Sequence, residues 1–217
     1  MAVQKHLNAY IIAGAPSPDI DFIRKNIPSD AFVLCADRGY TYARMAGITP
    51  QVIIGDFDSC KDDLPEQVEI TRLNREKQYT DTVHCIDCAL EKGFRDITLL
   101  AAIGGRLDHT YANLCALSYT AKRGGKAMIL SEREEIRLLS VGSHSFCERD
   151  GLTFSLFPFG TASAELSVSG AHYPLRSYRM ESDNPIGVSN VFEGACCAIT
   201  VHSGSVLMII NRDNRYL

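Results

Sequence analysis

A chain of 217 residues is long enough for one large domain or two small ones. A hydrophobic content of 46% is ordinary for a globular protein, and a net charge of −4 argues against non-specific nucleic-acid binding. No apolar run reaches the roughly 18 residues that a membrane-spanning helix needs, and the start of the chain does not read as a signal peptide, so the expected location is cytoplasmic.

Leu7 to Ala13 reads as a strand, broken by Gly14-Ala15-Pro16. Ser17 is placed to cap a helix with Pro18 at its first position and Asp19 and Asp21 in its first turn; Ile20, Ile23 and Ile27 form its apolar stripe. Ala31 to Ala36 is a second strand ending in Asp37, and Tyr40 to Ala46 suits a short helix closed by Gly47. Val52-Ile53-Ile54 runs into Gly55-Asp56-Phe57-Asp58-Ser59 as a buried parallel strand would. Val68 to Leu73 alternates weakly. Thr80 or Asp81 caps a helix running to Lys92, with Gly93 at its end. Ile97 to Ile103 is a buried strand, followed by Gly104-Gly105-Arg106 and a helix from Asp108 to Arg123; Ala127 to Leu130 is another strand.

This alternation over residues 1–132 predicts an α/β domain in which helices cover a parallel sheet in three layers. Neither G-x-G-x-x-G after the first strand nor a G-K-[ST] loop occurs, so any nucleotide phosphates must be held by other means. From Arg133 the helical period vanishes. Ile136–Val141, Leu152–Phe157, Ala164–Val168, Val188–Phe192, Ala195–His202 and Val206–Ile210 are short, β-rich and separated by Gly, Ser and Pro. Residues 133–217 therefore read as a small antiparallel β-sandwich or barrel, its last two strands joined as a hairpin by His202-Ser203-Gly204-Ser205.

The eight cysteines stand at 35, 60, 85, 88, 115, 147, 196 and 197, all but Cys60 and Cys147 inside apolar or periodic segments. Cys85-Ile86-Asp87-Cys88 is formally C-x-x-C, but it falls within a helical pattern and has no second ligand pair at zinc spacing. Reduced thiols in the core are the expectation.

The chemistry concentrates at strand ends. Asp56 and Asp58 close the Val52–Ile54 run, Asp37 closes another strand, Asp81 opens a helix, and Asp108 follows Gly104-Gly105-Arg106. Each has a plain reading as a turn or cap residue. Each also suits the carboxyl edge of a parallel sheet, where ligands bind and two adjacent carboxylates call for a cation. Glycines admit a ligand to the backbone and Arg offers a fork for phosphate, so oxygen ligands for Mg²⁺ beside Arg are the equipment of phosphoryl transfer.

These motifs, in this order, resemble the thiamine pyrophosphokinase family in its short bacterial form. Gly55-Asp56-Phe57-Asp58-Ser59 matches its GD-[FLM]-DS motif, and Cys35-Ala36-Asp37-Arg38-Gly39 resembles its ADGG segment. Glu76-Lys77-Gln78-Tyr79-Thr80-Asp81 resembles K-D-x-T-D, and Gly104-Gly105-Arg106-Leu107-Asp108-His109 with Asn113 matches GGR-x-DH-x-x-x-N. Tyr173-Pro174-Leu175, Val188-Ser189-Asn190 and Ser203-Gly204 have counterparts in its β-rich part.

The resemblance implies a transferase that moves pyrophosphate from ATP to the hydroxyl of thiamine, giving thiamine diphosphate and AMP. It implies an ATP-binding catalytic domain over 1–132 and a thiamine-binding domain over 133–217, in a homodimer with thiamine between subunits. It casts Asp56, Asp58 and Asp81 as catalytic Mg²⁺ ligands, with Gln78 beside them. Asp37, Arg106, Asp108 and His109 become nucleotide contacts, and Ser189 and Asn190 thiamine contacts. Two positions depart from the pattern: Gln78 stands where the family has an acid, and Arg38 where it has glycine. Alternatives are another Mg²⁺-dependent (pyro)phosphotransferase or phosphohydrolase on the same fold, or a non-enzymatic thiamine- or nucleotide-binding regulator, which the loss of charge at Gln78 favours.

Overall fold

The computed structural model describes residues 8–57, 65, 67–74 and 78–213. The chain divides into two compact units, Met1–Ser131 and Glu132–Leu217.

In the first unit the strands are β1 (Asn8–Ile12), β2 (Phe32–Ala36), β3 (Val52–Gly55), β4 (Glu69–Arg72), β5 (Asp96–Leu100) and β6 (Lys126–Leu130). All pair in parallel, in the order β6-β5-β1-β2-β3-β4. The helices are α1 (Ile20–Asn26), α2 (Gly39–Met45), α3 (Asp81–Glu91) and α4 (Leu107–Lys122). Parallel strands need both faces covered, which is why β1, β2, β3 and β5 are apolar almost throughout. Alternate residues Ile12, Val33, Cys35 and Ile53 pack with Ile23 of α1 and Tyr40, Tyr42 and Ala43 of α2 in one buried cluster. Helix α3 lies on β1, β2 and β3 and touches α4.

Local chemistry sets the boundaries. The carboxylate of Asp19, not Ser17, caps α1, accepting from the Phe22 amide at 3.0 Å. Ser17 was expected to cap; its φ of +54° instead turns the chain sharply before the helix. The Thr80 hydroxyl accepts from the Val83 amide at 3.4 Å and opens α3, and Gly93 leaves it at φ +93°. Strand β5 stops at Leu100 rather than Ile103, because Ala101 takes φ +50° and swings the chain out of the sheet.

The second unit is a sandwich. One sheet carries β12 (Asn190–Val191), β9 (Thr153–Pro158), β14 (Val206–Asn211) and β7 (Glu134–Leu139), neighbours paired antiparallel in that order. The other carries β11 (Leu175–Glu181), β10 (Ser163–Ser169), β13 (Cys196–Ser203) and β8 (Gly142–Cys147) in the same fashion. Phe154, Leu156, Val206 and Met208 from the first meet Leu166, Val168, Ile199 and Val201 from the second in a continuous core. Two of these strands, β8 and β11, were not expected, and the expected strand over Val188–Phe192 shrinks to Asn190–Val191.

The cysteines also correct the expectation in part. Cys35, Cys85, Cys88, Cys115 and Cys197 are free thiols, but Cys147 and Cys196 form a disulfide. The pair joins facing positions of β8 and β13, a juxtaposition that exists only once those strands are paired.

Candidate active site

From β1 the chain builds outward in one direction through β2, β3 and β4, then returns to add β5 on the other side of β1. The gap beyond the carboxyl ends of β1 and β5 is thus the topological switch point, where open parallel sheets bind ligands. Two exits are stitched across it: the Ala13 amide donates to the Leu100 carbonyl at 2.8 Å, and the Ala15 amide to the Ala101 carbonyl at 2.9 Å. A methyl added at Gly105 would lie 2.5 Å from Pro16 Cγ, and one added at Gly14 would touch the Arg38 side chain at 3.6 Å. The Gly14–Ser17 turn therefore borders the candidate site. No sequence motif marks this turn, because its neighbours Gly105 and Arg38 are distant in the chain.

The strand exits share one backbone feature. Ser17, Asp37, Phe57 and Ala101 hold φ of +54°, +46°, +59° and +50°. They follow β1, β2, β3 and β5 in turn, so non-glycine left-handed residues line this edge. Such conformations cost of order 1–3 kcal/mol each and persist where the surrounding structure over-determines them, which is typical of ligand sites.

The loop after β5 forms a second border. The Asn113 side-chain amide, buried on α4, donates to the Ala102 carbonyl at 2.7 Å and ties the loop to the helix. The Gly104 amide donates to the Thr110 hydroxyl at 3.3 Å. Arg106 forks onto Asp108, Nε to Oδ1 at 3.1 Å and Nη2 to Oδ2 at 2.6 Å, with both side chains largely exposed. This fork, aided by the His109 amide at 2.9 Å, holds the Asp108 carboxyl below its usual range. His109 lies exposed on the first turn of α4. A guanidinium fork that follows a glycine pair at a helix start is the kind of group that suits phosphate oxygens.

Asp37 and Asp56 leave adjacent strands. The Asp37 amide donates to the Ile54 carbonyl at 2.9 Å, and a Cβ at Gly55 would lie 3.0 Å from Asp37 Cα. Only glycine lets the two exits run this close. Asp81 is the first residue of α3, and Gln78 is exposed just before it. Asp58 lies outside the described residues. Among the described residues no three His, Cys, Asp or Glu side chains stand close enough to hold a metal.

In the second unit Ser189 and Asn190 make different contacts. Asn190 turns its amide onto the backbone of Tyr173, Oδ1 accepting from its amide at 3.0 Å and Nδ2 donating to its carbonyl at 2.9 Å. It holds up the Tyr173 segment. Ser189 is exposed at φ +60°, its amide donating to the Ser155 hydroxyl at 3.1 Å. Exposed Ile186, Val188 and Tyr173 lie near these residues in the chain or through Asn190. His172 stacks edge-on to Tyr173 and pairs with Glu193 at 2.6 Å, two residues the sequence reading passed over.

Two family models match, one for the thiamin pyrophosphokinase catalytic domain over residues 23–129 and one for the thiamin pyrophosphokinase vitamin B1 binding domain over residues 143–208. The chain belongs to the thiamine pyrophosphokinase family. It is 25% identical to the thiamine pyrophosphokinase of Bacillus subtilis, covering 94% of this chain and 98% of that one. Thiamine pyrophosphokinase 1 of Arabidopsis thaliana is 30% identical over 73% of this chain and 64% of its own length. The crystal structure of thiamin pyrophosphokinase from Geobacillus thermodenitrificans superposes with a TM-score of 0.81 at 26% identity, covering 97% of this chain and all of that one. The family's catalytic match contains the whole GGR–DH loop and the exits of β2, β3 and β5; its B1-binding match contains Tyr173, Ser189 and Asn190.

Proposed function

We propose that this chain transfers the terminal pyrophosphate of ATP to the hydroxyl of thiamine, forming thiamine diphosphate and AMP. The observation that carries the reading is the match of both domain models in order along one chain. The switch-point edge, with its crowded glycines and Arg106 fork, supports the nucleotide half.

In this reading Arg106 leaves Asp108 for phosphate oxygens, and Asp108 and His109 contact the nucleotide near Asp37. Asp56, Asp58 and Asp81, with the Gln78 carbonyl, supply the hard oxygen ligands that suit Mg²⁺. Asp56 stands at the exit of β3 beside Asp37, where two carboxylates on adjacent strands favour a divalent ion. That ion supplies charge neutralisation of the transferred group. The chain's own residues orient the two substrates, and positioning of the thiamine hydroxyl in line with the phosphoryl group carries much of the rate.

Ser189 contacts thiamine, and Asn190 supports Tyr173 against it; a cationic thiazolium suits an aromatic face. The enzyme works as a homodimer in the cytoplasm, with thiamine bound between subunits. Among the described residues no helix is long and apolar enough to cross a membrane.

Incubation with ATP and Mg²⁺, with and without thiamine, tests the proposal. AMP must appear only when thiamine is present. Phosphate release without thiamine points to a hydrolase, and saturable binding without turnover to a regulator.

A further inference from the structure

Among the described cysteines five are free, and two, Cys147 and Cys196, form a disulfide. Cys147 ends β8 and Cys196 opens β13, directly opposite, with Cα atoms 4.0 Å apart, and both are exposed. The next pair along carries a ladder bond, Glu148 amide to Ala195 carbonyl at 3.1 Å, so the cysteines occupy the closer, non-hydrogen-bonded kind of pair. Cys197 is adjacent in sequence, but strand alternation turns it into the core, where burial pushes its thiol up to about 11. Cys35 and Cys85 are fully buried in the other unit, their thiols raised by burial. The neighbouring Cys197 is thereby kept from exchange, while reagents from solution meet the exposed pair directly.

The disulfide also stands beside a functional turn. Among the described residues, strand β8 is an edge strand held in its sheet by β13 alone. A Cβ at Gly170 would fall on the Cys196 carbonyl oxygen, so the turn leading to Tyr173 lies against the start of β13. Three residues before Cys196, the Glu193 amide donates to the Gly170 carbonyl at 3.0 Å, and its carboxylate takes His172 Nδ1 at 2.6 Å. Clipping Cys196 to Cys147 therefore steadies the segment on which Gly170–Tyr173 leans.

We propose that Cys147–Cys196 is a reversible thiol–disulfide exchange site whose state sets how firmly the Gly170–Tyr173 turn is held. The reductant is a dithiol. One of its thiolates attacks a protein sulfur, the protein S–S bond breaks, a mixed disulfide forms, and the departing cysteine thiolate takes a proton. The second thiol of the reductant then displaces the other cysteine and leaves as a cyclic or protein disulfide. Two electrons and two protons pass to the protein. Exposed disulfides are the labile and regulatory ones, whereas buried thiols are inert. The clip does not depend on which ligand the turn holds.

The test takes the folded full chain through alkylation and hydrogen exchange. With iodoacetamide and no reductant, Cys147 and Cys196 stay unmodified. After native treatment with dithiothreitol both are alkylated, while Cys35, Cys85 and Cys197 remain protected until the chain is denatured. Peptides spanning residues 170–175 then exchange amide hydrogens about tenfold faster than in the oxidised chain. Removing dithiothreitol and adding oxidised glutathione restores the slow rate. A Cys147→Ser variant exchanges at the reduced rate with or without dithiothreitol. Alkylation of either cysteine before reduction overturns the proposal, as does resistance to excess dithiothreitol in the folded state. Unchanged exchange over 170–175 on reduction overturns the link to the turn.

Discussion

Asn190 clasps the backbone of Tyr173 from both sides, accepting from its amide at 3.0 Å and donating to its carbonyl at 2.9 Å. The same oxygen also accepts from the Val191 amide at 2.9 Å, so this one side chain joins β12 to the turn before β11. A side-chain amide spent on backbone is a positioning group, and its loss should act through Tyr173.

Asn190→Ala removes bonds worth about 1 kcal/mol each. The expected result is a KM for thiamine raised about tenfold, with the KM for ATP unchanged. Asn190→Asp keeps the acceptor but sets a carboxylate against the Tyr173 carbonyl, and should be no better than alanine. Steady-state kinetics with each substrate varied in turn decide it; equal shifts in both KM values would contradict a thiamine-side role.

The Arg106 fork yields a different split. Arg106→Lys keeps the charge but cannot match two oxygens at once, so the KM for ATP should rise about tenfold or more. Asp108→Asn frees the guanidinium from its partner and leaves the charge on Arg106 intact. If Arg106 serves only its salt bridge with Asp108, both variants will bind ATP as the parent does.

For the acidic edge, Asp56→Asn and Asp58→Ala are expected to lower kcat at least about a hundredfold; Asp56 lies outside the buried apolar core, so its variant should keep the parent's melting temperature. Gln78→Asp restores a charge and should lower the Mg²⁺ concentration giving half-maximal rate. Mg²⁺ titrations of activity read all three. Parental activity in Asp58→Ala at limiting Mg²⁺ would remove that residue from the ligand set.

Glu135 gives a pH signature. It is buried on β7 between Arg137 at 2.6 Å and Arg149 at 2.9 Å. Burial alone raises its carboxyl, but the two guanidiniums outweigh burial and hold it below the usual carboxylate range. A folded-state value below the unfolded one means the ion pairs stabilise fully above the unfolded value, about 4.3. That stabilisation fades as pH falls through the lower folded value. Glu135→Gln should therefore be less stable than the parent at neutral pH, by about 1–3 kcal/mol, with the gap closing below about pH 4. Urea midpoints across that range test it, and a gap that does not change with pH would refute it.

Gly39 tests the close approach of α2 to the sheet. An added Cβ would collide with the Ile12 carbonyl oxygen, which is backbone and cannot step aside. Gly39→Ala should cost about 1–3 kcal/mol, a drop of several degrees in melting temperature. Gly93→Ala meets nothing within 4 Å and suffers only its φ of +93°, so it should cost no more than about 1 kcal/mol. Equal losses would show that crowding at Gly39 is unimportant.

The α/β unit was legible because its strands are saturated with Val, Ile and Leu and its helices carry their own signals, such as Thr80 before α3 and Gly93 after it. Strands β8 and β11 were not. As sheet edges they bury one face, so Gly-Ser-His-Ser-Phe-Cys and Leu-Arg-Ser-Tyr-Arg-Met-Glu carry little apolar pattern. The acidic strand ends could be named from the sequence. The Gly14–Pro16 border could not, because it becomes a border only when β5 lands beside β1. The Val188-Ser189-Asn190 motif stands out in the sequence, but the partner of Asn190 is a backbone seventeen residues away, a contact no local motif encodes.

Phosphorus NMR of the products formed from ATP, thiamine and Mg²⁺ tests the central claim most directly. The account predicts two coupled phosphorus signals of thiamine diphosphate, growing in step with one AMP signal. Thiamine monophosphate with ADP would mean that one phosphoryl group moves, and the assigned reaction would be wrong; so would AMP and free pyrophosphate with no phosphorylated thiamine.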